Sequence, residues 1–99
     1  MIDALEIFRA LADSSRLRIV RLLRTMELSV GELAQVLGQS QPRVSRHVKI
    51  LCDAGLAERR KEGSWVFVAL GPADAVAPVA AALDGWDAAS PDRQAAADV

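Results

Sequence analysis

The sequence predicts a small, mainly α-helical domain that carries one β-hairpin. Apolar residues recur at helical spacing through most of the first 54 residues, and the period changes after Gly55. Two short segments then flank a turn that contains glycine, and the second segment is rich in strand formers. With 99 residues, 52% apolar and 25% charged, the chain is long enough for one packed domain rather than two.

Two helices are expected in the first quarter of the chain. Leu5, Phe8 and Leu11 stand at near-helical spacing, which predicts a first helix over residues 2–12. Asp13 supplies N-cap chemistry for a second helix, which we expect to be buried because its apolar arc is wide. That arc contains Leu17, Ile19, Val20, Leu22 and Leu23.

Two further helices are predicted on either side of a tight turn. Ser29 can cap a short helix that ends at Gly38, since glycine tolerates the left-handed conformation at a helix C-terminus. Ser40 can cap a longer helix that runs to about Ala54. Pro42 falls in the first turn of that helix, where a missing N–H costs nothing. A short helix, a glycine turn and a second helix are typical of a helix-turn-helix.

The hairpin follows directly after this pair of helices. Residues 56–60 predict a short strand, residues 61–64 a turn, and residues 65–70 the return strand. Three of the chain's basic residues lie in or near the turn. A helix-turn-helix followed by a basic hairpin predicts a winged helix-turn-helix fold, in which the hairpin is the wing.

A last helix is expected after the hairpin. Asp74 can cap it, Pro78 is expected in its first turn, and it should run to about Leu83. We therefore expect residues 1–84 to form a winged helix-turn-helix domain for DNA binding and dimerisation. Residues 85–99, which are rich in Asp and Ala, should form a tail or linker.

The charges are distributed unevenly along the chain, although the net charge is only −1. Residues 9–65 carry eleven Lys or Arg against six Asp or Glu. Residues 66–99 carry one Arg against five Asp. A basic middle with an acidic end indicates a face for nucleic acid on one part of the molecule.

The fourth predicted helix divides into two faces. Val44, Val48 and Leu51 fall within one narrow arc that should face the core. The other arc, the N-terminal end of the helix and the hairpin carry side chains that can pair with base edges or phosphates. We predict DNA contacts from Ser40, Gln41, Arg43, Ser45, Arg46, His47, Lys49, Arg59, Arg60 and Lys61. The alternatives are an ordinary amphipathic helix with a solvated basic face, and a winged-helix module that binds protein rather than DNA.

Three segments resemble the ArsR/SmtB family of bacterial repressors. They read Leu-Ala-Asp-Ser-Ser-Arg-Leu-Arg-Ile at 11–19, Ser-Arg-His-Val-Lys-Ile-Leu-Cys-Asp-Ala-Gly-Leu-Ala at 45–57, and Arg-Arg-Lys-Glu-Gly-Ser-Trp-Val-Phe at 59–67. The resemblance implies a homodimer that is joined through the first and last helices. It also implies that the dimer binds an inverted-repeat operator in double-stranded DNA and releases it when a signal arrives. The expected dimer interface comprises Leu5, Phe8, Leu11, Val76, Val79 and Leu83.

The chain departs from that family at the metal sites. The family's thiolate site lies in a Glu-Leu-Cys-Val-Cys pattern, where this chain has Ser29 and Gly31 in place of both cysteines. Soft metals need thiolates. The family's other site uses Asp and His of the last helix, where this chain has Asp74 and Asp84 but no His. With one His and one Cys in all, we expect no metal and no cofactor.

Other classes of protein are not expected. The sequence has no nucleophile–base pair and no nucleotide-binding glycine loop, which disfavours an enzyme. It has no apolar stretch of membrane-spanning length and no secretory signal pattern, and its single Cys permits no internal disulfide, so a cytoplasmic protein is expected. The sequence is also similar to family members that carry a C-terminal methyltransferase-like domain, and in that case the effector would be sensed outside these 99 residues.

Overall fold

The computed structural model describes residues 2–88, which form five helices and one three-stranded antiparallel sheet. Within this range the predicted winged helix-turn-helix is confirmed. The elements, in chain order, are α1 (Ala4–Leu11), α2 (Ser14–Leu23), β1 (Leu28–Ser29), α3 (Val30–Leu37), α4 (Gln41–Asp53), β2 (Ala57–Glu62), β3 (Trp65–Leu70) and α5 (Ala73–Ala88).

The helix ends are set by local side-chain chemistry. The side chains of Asp13 and Ser40 accept backbone N–H groups at the starts of α2 and α4, as predicted. Ser29 caps α3 in a capping box: its Oγ accepts the N–H of Glu32 at 3.1 Å, and the Glu32 carboxylate accepts the N–H of Ser29 at 2.9 Å. Gly38 ends α3 with a φ of 65°, a conformation that glycine adopts without steric cost.

The core lies between the helices and the inner face of the sheet. Val44, Val48 and Leu51 of α4 are fully buried, as the predicted apolar arc requires. They belong to one hydrophobic cluster to which every described helix except α5 contributes at least two buried residues, while α5 contributes Leu83. Because α4 is anchored along this whole side, its opposite side is free to face a ligand.

The sheet has the strand order β1-β3-β2. Strands β2 and β3 pair in register from Ala57 with Leu70 to Glu62 with Trp65, so a two-residue turn joins them. The turn begins at Gly63, whose φ is 61°. The predicted four-residue turn over 61–64 is therefore too long, because its first two residues pair within the ladder. Strand β1 was not predicted, since two residues carry no periodic pattern.

Helix α5 differs from its prediction at both ends. It begins at Ala73, and Pro78 lies in its second turn rather than its first. It also continues to Ala88, so the predicted boundary between residues 84 and 85 falls inside the helix. Residues 89–99 of the predicted tail lie outside the described part of the chain.

Two ion pairs hold the last turns of α5 against α2 and Arg24, the residue that follows α2. Arg21 binds Asp87 through two hydrogen bonds of 2.9 and 2.6 Å, and Arg24 lies 2.9 Å from Asp84. These contacts explain why the helix extends through a segment that its composition assigns to a tail. Among residues 2–88 no helix is long and apolar enough to cross a membrane.

Candidate nucleic-acid interface

The α4 surface comprises the exposed residues at the start of α4 and along its outer side. Its members are Ser40, Gln41, Arg43, Ser45, Arg46 and Lys49. The Ser40 hydroxyl caps the helix by accepting the N–H of Arg43 at 3.4 Å. Six of the ten predicted DNA contacts thus lie together on one exposed surface, opposite the buried arc of α4.

The cations on the α4 surface differ in how they are paired. Lys49 forms an ion pair with Asp53, one helical turn away, with a distance of 2.9 Å between Nζ and Oδ2. Within residues 2–88 neither Arg43 nor Arg46 has a carboxylate within ion-pair distance. The two arginines therefore offer donor groups that a ligand can use without breaking an internal bond.

His47, which is also a predicted DNA contact, does not belong to this exposed set. It is only 8% exposed, and its Nδ1 lies 3.3 Å from Nη1 of Arg16 in α2. The side chain falls on the rim of the buried arc, and contact with α2 turns that rim inward. Burial is the largest effect on the pKa of His47, and it lowers this pKa. Asp13, whose Oδ2 lies 3.9 Å from Nδ1, opposes the shift, and the cations Arg16, Arg43 and Arg46 reinforce it.

The wing separates its three basic residues between two faces, because side chains alternate along a strand. Arg59 and Lys61 share a face with the buried Ala57. Arg60 lies on the opposite face, where its guanidinium bonds Glu62 and also bonds Glu27 at 2.5 Å.

Arg60, also a predicted DNA contact, has several partners within the protein. Its guanidinium lies 5.1 Å from the centre of the Phe67 ring, in addition to its two carboxylate partners. Arg60 is therefore engaged within the protein, and its contact with DNA stays a prediction. Arg59 and Lys61 remain as the wing cations that no ion pair holds within the described residues.

A cleft of about 400 Å³ lies between α4 and the wing. Its walls include Gln41 and Ser45 from α4, and Arg59 and Trp65 from the wing. Trp65 is 61% exposed, so it does not pack under the hairpin. Trp65 is not among the DNA contacts predicted from the sequence. A large aromatic residue beside a basic turn could have indicated it, but a tryptophan is also expected in a strand that binds nothing.

A second concave surface, the apolar groove, lies between α1, α2 and α5. It has a volume of about 510 Å³, and its lining includes Phe8, Leu11, Leu17, Pro78, Val79, Leu83 and Trp86. Phe8 and Trp86 are 66% and 68% exposed, and Leu5 is 56% exposed on the same helix as Phe8. Exposed apolar side chains of this size on neighbouring helices are typical of an interaction surface.

The six predicted dimer residues differ in how deeply they are buried, and four of them, Phe8, Leu11, Val79 and Leu83, line this groove. Leu5 and Phe8 are exposed, and Leu11 and Val79 are half-buried. The remaining two, Val76 and Leu83, are buried within the single chain. Trp86, which the prediction did not assign to any surface, lines the groove.

Comparison with known proteins agrees with this architecture. Residues 13–59 match the family model described as bacterial regulatory protein, arsR family. The solved structure of HlyU from Vibrio cholerae is 36% identical, with a TM-score of 0.74 over 82% of this chain and 88% of that one. This chain belongs to the ArsR family.

Two further ArsR-family comparisons are informative. The arsenical resistance operon repressor of Escherichia coli is 46% identical over 69 residues, which are 69% of this chain and 59% of that protein. A Mycobacterium bovis fragment, described as the homodimeric winged helix-turn-helix DNA-binding domain of Mb0332, has a TM-score of 0.78 at 28% identity, covering 84% of this chain and 77% of that one. The ArsR family consists of transcriptional regulators, not enzymes. The chain spans 59%, 52% and 64% of three curated arsenic-related relatives that it matches.

The positions where the ArsR/SmtB resemblance implies cysteines have other uses here. Ser29 is 2% exposed and caps α3, and Gly31 follows it in the first turn of that helix. Cys52 is half-buried at the end of α4, and burial raises the pKa of its thiol. Among residues 2–88 no group of three or more His, Cys, Asp or Glu side chains is placed to hold a metal ion.

Proposed function

We propose that this ArsR-family chain is the operator-binding and dimerising part of a transcriptional repressor, which binds an inverted repeat in double-stranded DNA as a homodimer. The observation that carries the proposal is the placement of Arg43 and Arg46, without ion pairs in the described residues, on the exposed side of α4 beside a basic wing. The basic wing distinguishes this proposal from a protein-interaction module, which does not require cations on both elements.

The α4 surface suits the major groove of DNA. An α-helix fits that groove, and Arg can donate two hydrogen bonds to O6 and N7 of guanine. Gln41 can pair in the same way with adenine, and Ser45 can serve a base edge or a phosphate. Arg59 and Lys61 of the wing would contact the flanking backbone, which adds affinity without adding base preference.

A dimer is proposed because one half-site is too short to be specific in a genome. The apolar groove and the exposed side chains of Leu5 and Phe8 supply an apolar surface away from the α4 surface. An isologous interface through α1 and α5 would present two copies of α4 related by a two-fold axis, as an inverted repeat requires. We also propose a cytoplasmic location and an effector that acts without a metal or cofactor bound to residues 2–88.

The test is a selection of bound sequences from a random duplex pool, followed by titration of the selected duplex. We expect an inverted repeat, with affinity that falls steeply with salt, and a protein mass of two chains by light scattering at tens of micromolar. Replacing Arg43 and Arg46 together with Ala should abolish the sequence preference. Arg18→Ala is the matched control, because Arg18 is an exposed arginine of α2 without an ion pair in the described residues.

Two results would contradict the proposal. A selection that returns no preferred sequence, with the double variant binding DNA like the unchanged protein, would favour the protein-interaction module. A monomeric mass at tens of micromolar would remove the homodimer.

A further inference from the structure

Arg16 lies where three helices of the domain meet. It stands in the first turn of α2, and its Nε donates to the carbonyl of Ala10 at 2.6 Å. Nη2 lies 3.4 Å from the carbonyl of Arg9, which is also in the last turn of α1. Nη1 lies 3.3 Å from Nδ1 of His47 in α4. One guanidinium therefore contacts the end of α1 and the inner side of α4 at the same time.

Two groups lie near Nδ1 of His47. A guanidinium only donates hydrogen bonds, so in the bond with Arg16 Nδ1 is the acceptor and the neutral ring carries its proton on Nε2, while Oδ2 of Asp13 lies 3.9 Å from the same Nδ1. The neutral ring is favoured by burial, which lowers the pKa of His47. Asp13, whose Oδ2 accepts the N–H of Arg16 at 3.0 Å, fixes the backbone from which Arg16 extends.

The two helices that Arg16 connects carry the two surfaces of the proposed function. Helix α1 presents Leu5 and Phe8, which are exposed beside the apolar groove. Helix α4 presents Arg43 and Arg46, which are exposed on the side opposite the core. In a dimer, the distance and angle between the two copies of α4 depend on how each α4 is oriented relative to its own α1.

We propose that Arg16 and His47 form a positioning pair, which sets the orientation of the DNA-reading helix relative to the dimerising helix and thereby the half-site spacing that the dimer accepts. This inference rests on the proposed function. Neither residue of the pair is expected to contact DNA, because Arg16 is half-buried beside α1 and His47 faces inward. Both act through the orientation of α4.

The capping of α1 by Arg16 could instead serve folding alone, so the test must separate orientation from stability. Arg16→Lys keeps the charge, but a single ammonium group cannot reach the α1 carbonyls and His47 together in the planar geometry of a guanidinium. Arg18→Lys is the matched control on the same helix. Ile19→Val is a second control, which removes buried volume from α2 and lowers stability without touching the pair.

The first measurement titrates each protein on the duplex selected with the unchanged protein, and on the same duplex with one base pair added to or removed from its centre. We expect Arg16→Lys to lose about tenfold in affinity for the selected duplex, the scale of one hydrogen bond to a charged group. We also expect it to discriminate less between the three spacings. Arg18→Lys and Ile19→Val should keep the spacing preference, and all variants should remain dimers.

The second measurement replaces the acceptor. In His47→Asn the amide oxygen can take the position of Nδ1, whereas His47→Leu has a similar volume and no acceptor. We expect His47→Asn to retain the spacing preference and His47→Leu to lose it to the same extent as Arg16→Lys. The double variant Arg16→Lys with His47→Leu should add little to either single change, because both remove the same contact.

The outcomes separate this inference from the function on which it rests. If the unchanged protein selects no sequence, the proposed function fails. If it selects an inverted repeat and both Arg16→Lys and His47→Leu keep its spacing preference, the positioning pair is refuted and DNA binding stands. The same refutation follows if Ile19→Val, at matched thermal stability, loses the spacing preference as fully as Arg16→Lys.

Discussion

Arg43 and Arg46 are the residues at which base preference is expected to reside. Their guanidinium groups have no carboxylate partner within residues 2–88. If each forms a bidentate pair with guanine, Arg43→Ala or Arg46→Ala should cost about 1–3 kcal/mol of operator binding and relax preference at one base pair per half-site. Competition titration with singly substituted duplexes measures both effects. Wild-type affinity and preference in both variants would show that another element reads the bases.

The wing residues should respond differently to substitution. Lys61→Ala should weaken binding to operator and random DNA alike, and should reduce the slope of log affinity against log salt by about two in a symmetric dimer. Arg60→Ala should change that slope less, because Glu27 and Glu62 already occupy its guanidinium. Salt titrations of both variants on both duplexes measure the difference. An equal loss of slope would show that the Arg60 ion pairs open when DNA binds.

His47 should make the stability of the domain sensitive to weak acid. Burial and nearby cations lower its pKa below the ordinary value of 6.5 against the opposing effect of the Asp13 carboxylate, so the unfolded chain takes up a proton before the folded domain does. Above pH 6.5 the neutral ring of His47 therefore costs the folded domain no stability. As the pH falls below 6.5, the free energy of unfolding decreases. The pKa of Asp13 is lowered from 3.8 by the N–H of Arg16, so Asp13 stays ionised in this window.

Urea denaturation at pH 7.5 and pH 5.5 measures this effect. The unchanged protein should lose stability between the two values, and His47→Asn should lose less because it has no imidazole to protonate. Since the chain has one histidine, the difference between the two proteins belongs to this residue. A larger loss in His47→Asn would mean that the imidazole is not the group that titrates.

Single residues also show where sequence reasoning reaches its limit. The exposed face of α4 was predictable because helical periodicity separates Val44 and Val48 from Arg46. The burial of His47 was not, since it depends on Arg16, which lies 31 positions away in the chain. The ion pair between Arg60 and Glu27 was also not predictable. Glu27 directly precedes β1, and a strand of only two residues has no periodic pattern in the sequence.

At the scale of elements, the junction between β1 and α3 depends on one serine. Ser29 pairs with Phe67 as the last residue of β1 and caps α3 with its hydroxyl. Ser29→Ala should destabilise the domain by about 1 kcal/mol, because one N–H of α3 loses its acceptor in a buried site. Urea denaturation measures the change, with Ser14→Ala at the exposed start of α2 as the control. A change no larger than that of the control would contradict the capping role.

The elements differ in how far the sequence determines them. Both helices of the helix-turn-helix were predicted to within a residue, because serine caps and Gly38 mark their ends locally. The end of α5 was predicted five residues too early. Its last turns depend on ion pairs with Arg21 of α2 and with Arg24, the residue that follows α2, and no local pattern within α5 predicts such partners.

At the scale of the whole molecule, metal ions should have no effect on DNA binding. The chain has one cysteine and one histidine, and no metal-binding group of three acidic, His or Cys side chains occurs among residues 2–88. Zinc or arsenite added at micromolar concentration to the protein–operator complex should leave the affinity unchanged. The E. coli arsenical resistance operon repressor is a suitable comparison protein. A saturable loss of affinity would reveal a site shared between subunits.

The two tryptophans stand on different functional surfaces. Trp65 lines the cleft between α4 and the wing, and Trp86 lines the apolar groove between α1, α2 and α5. Both indoles are more than half exposed, so the emission of each should respond when its own surface is covered. A protein that keeps only Trp65 would report DNA, and one that keeps only Trp86 would report self-association. The chain thus carries two intrinsic fluorophores with which the two equilibria can be followed separately, without a dye.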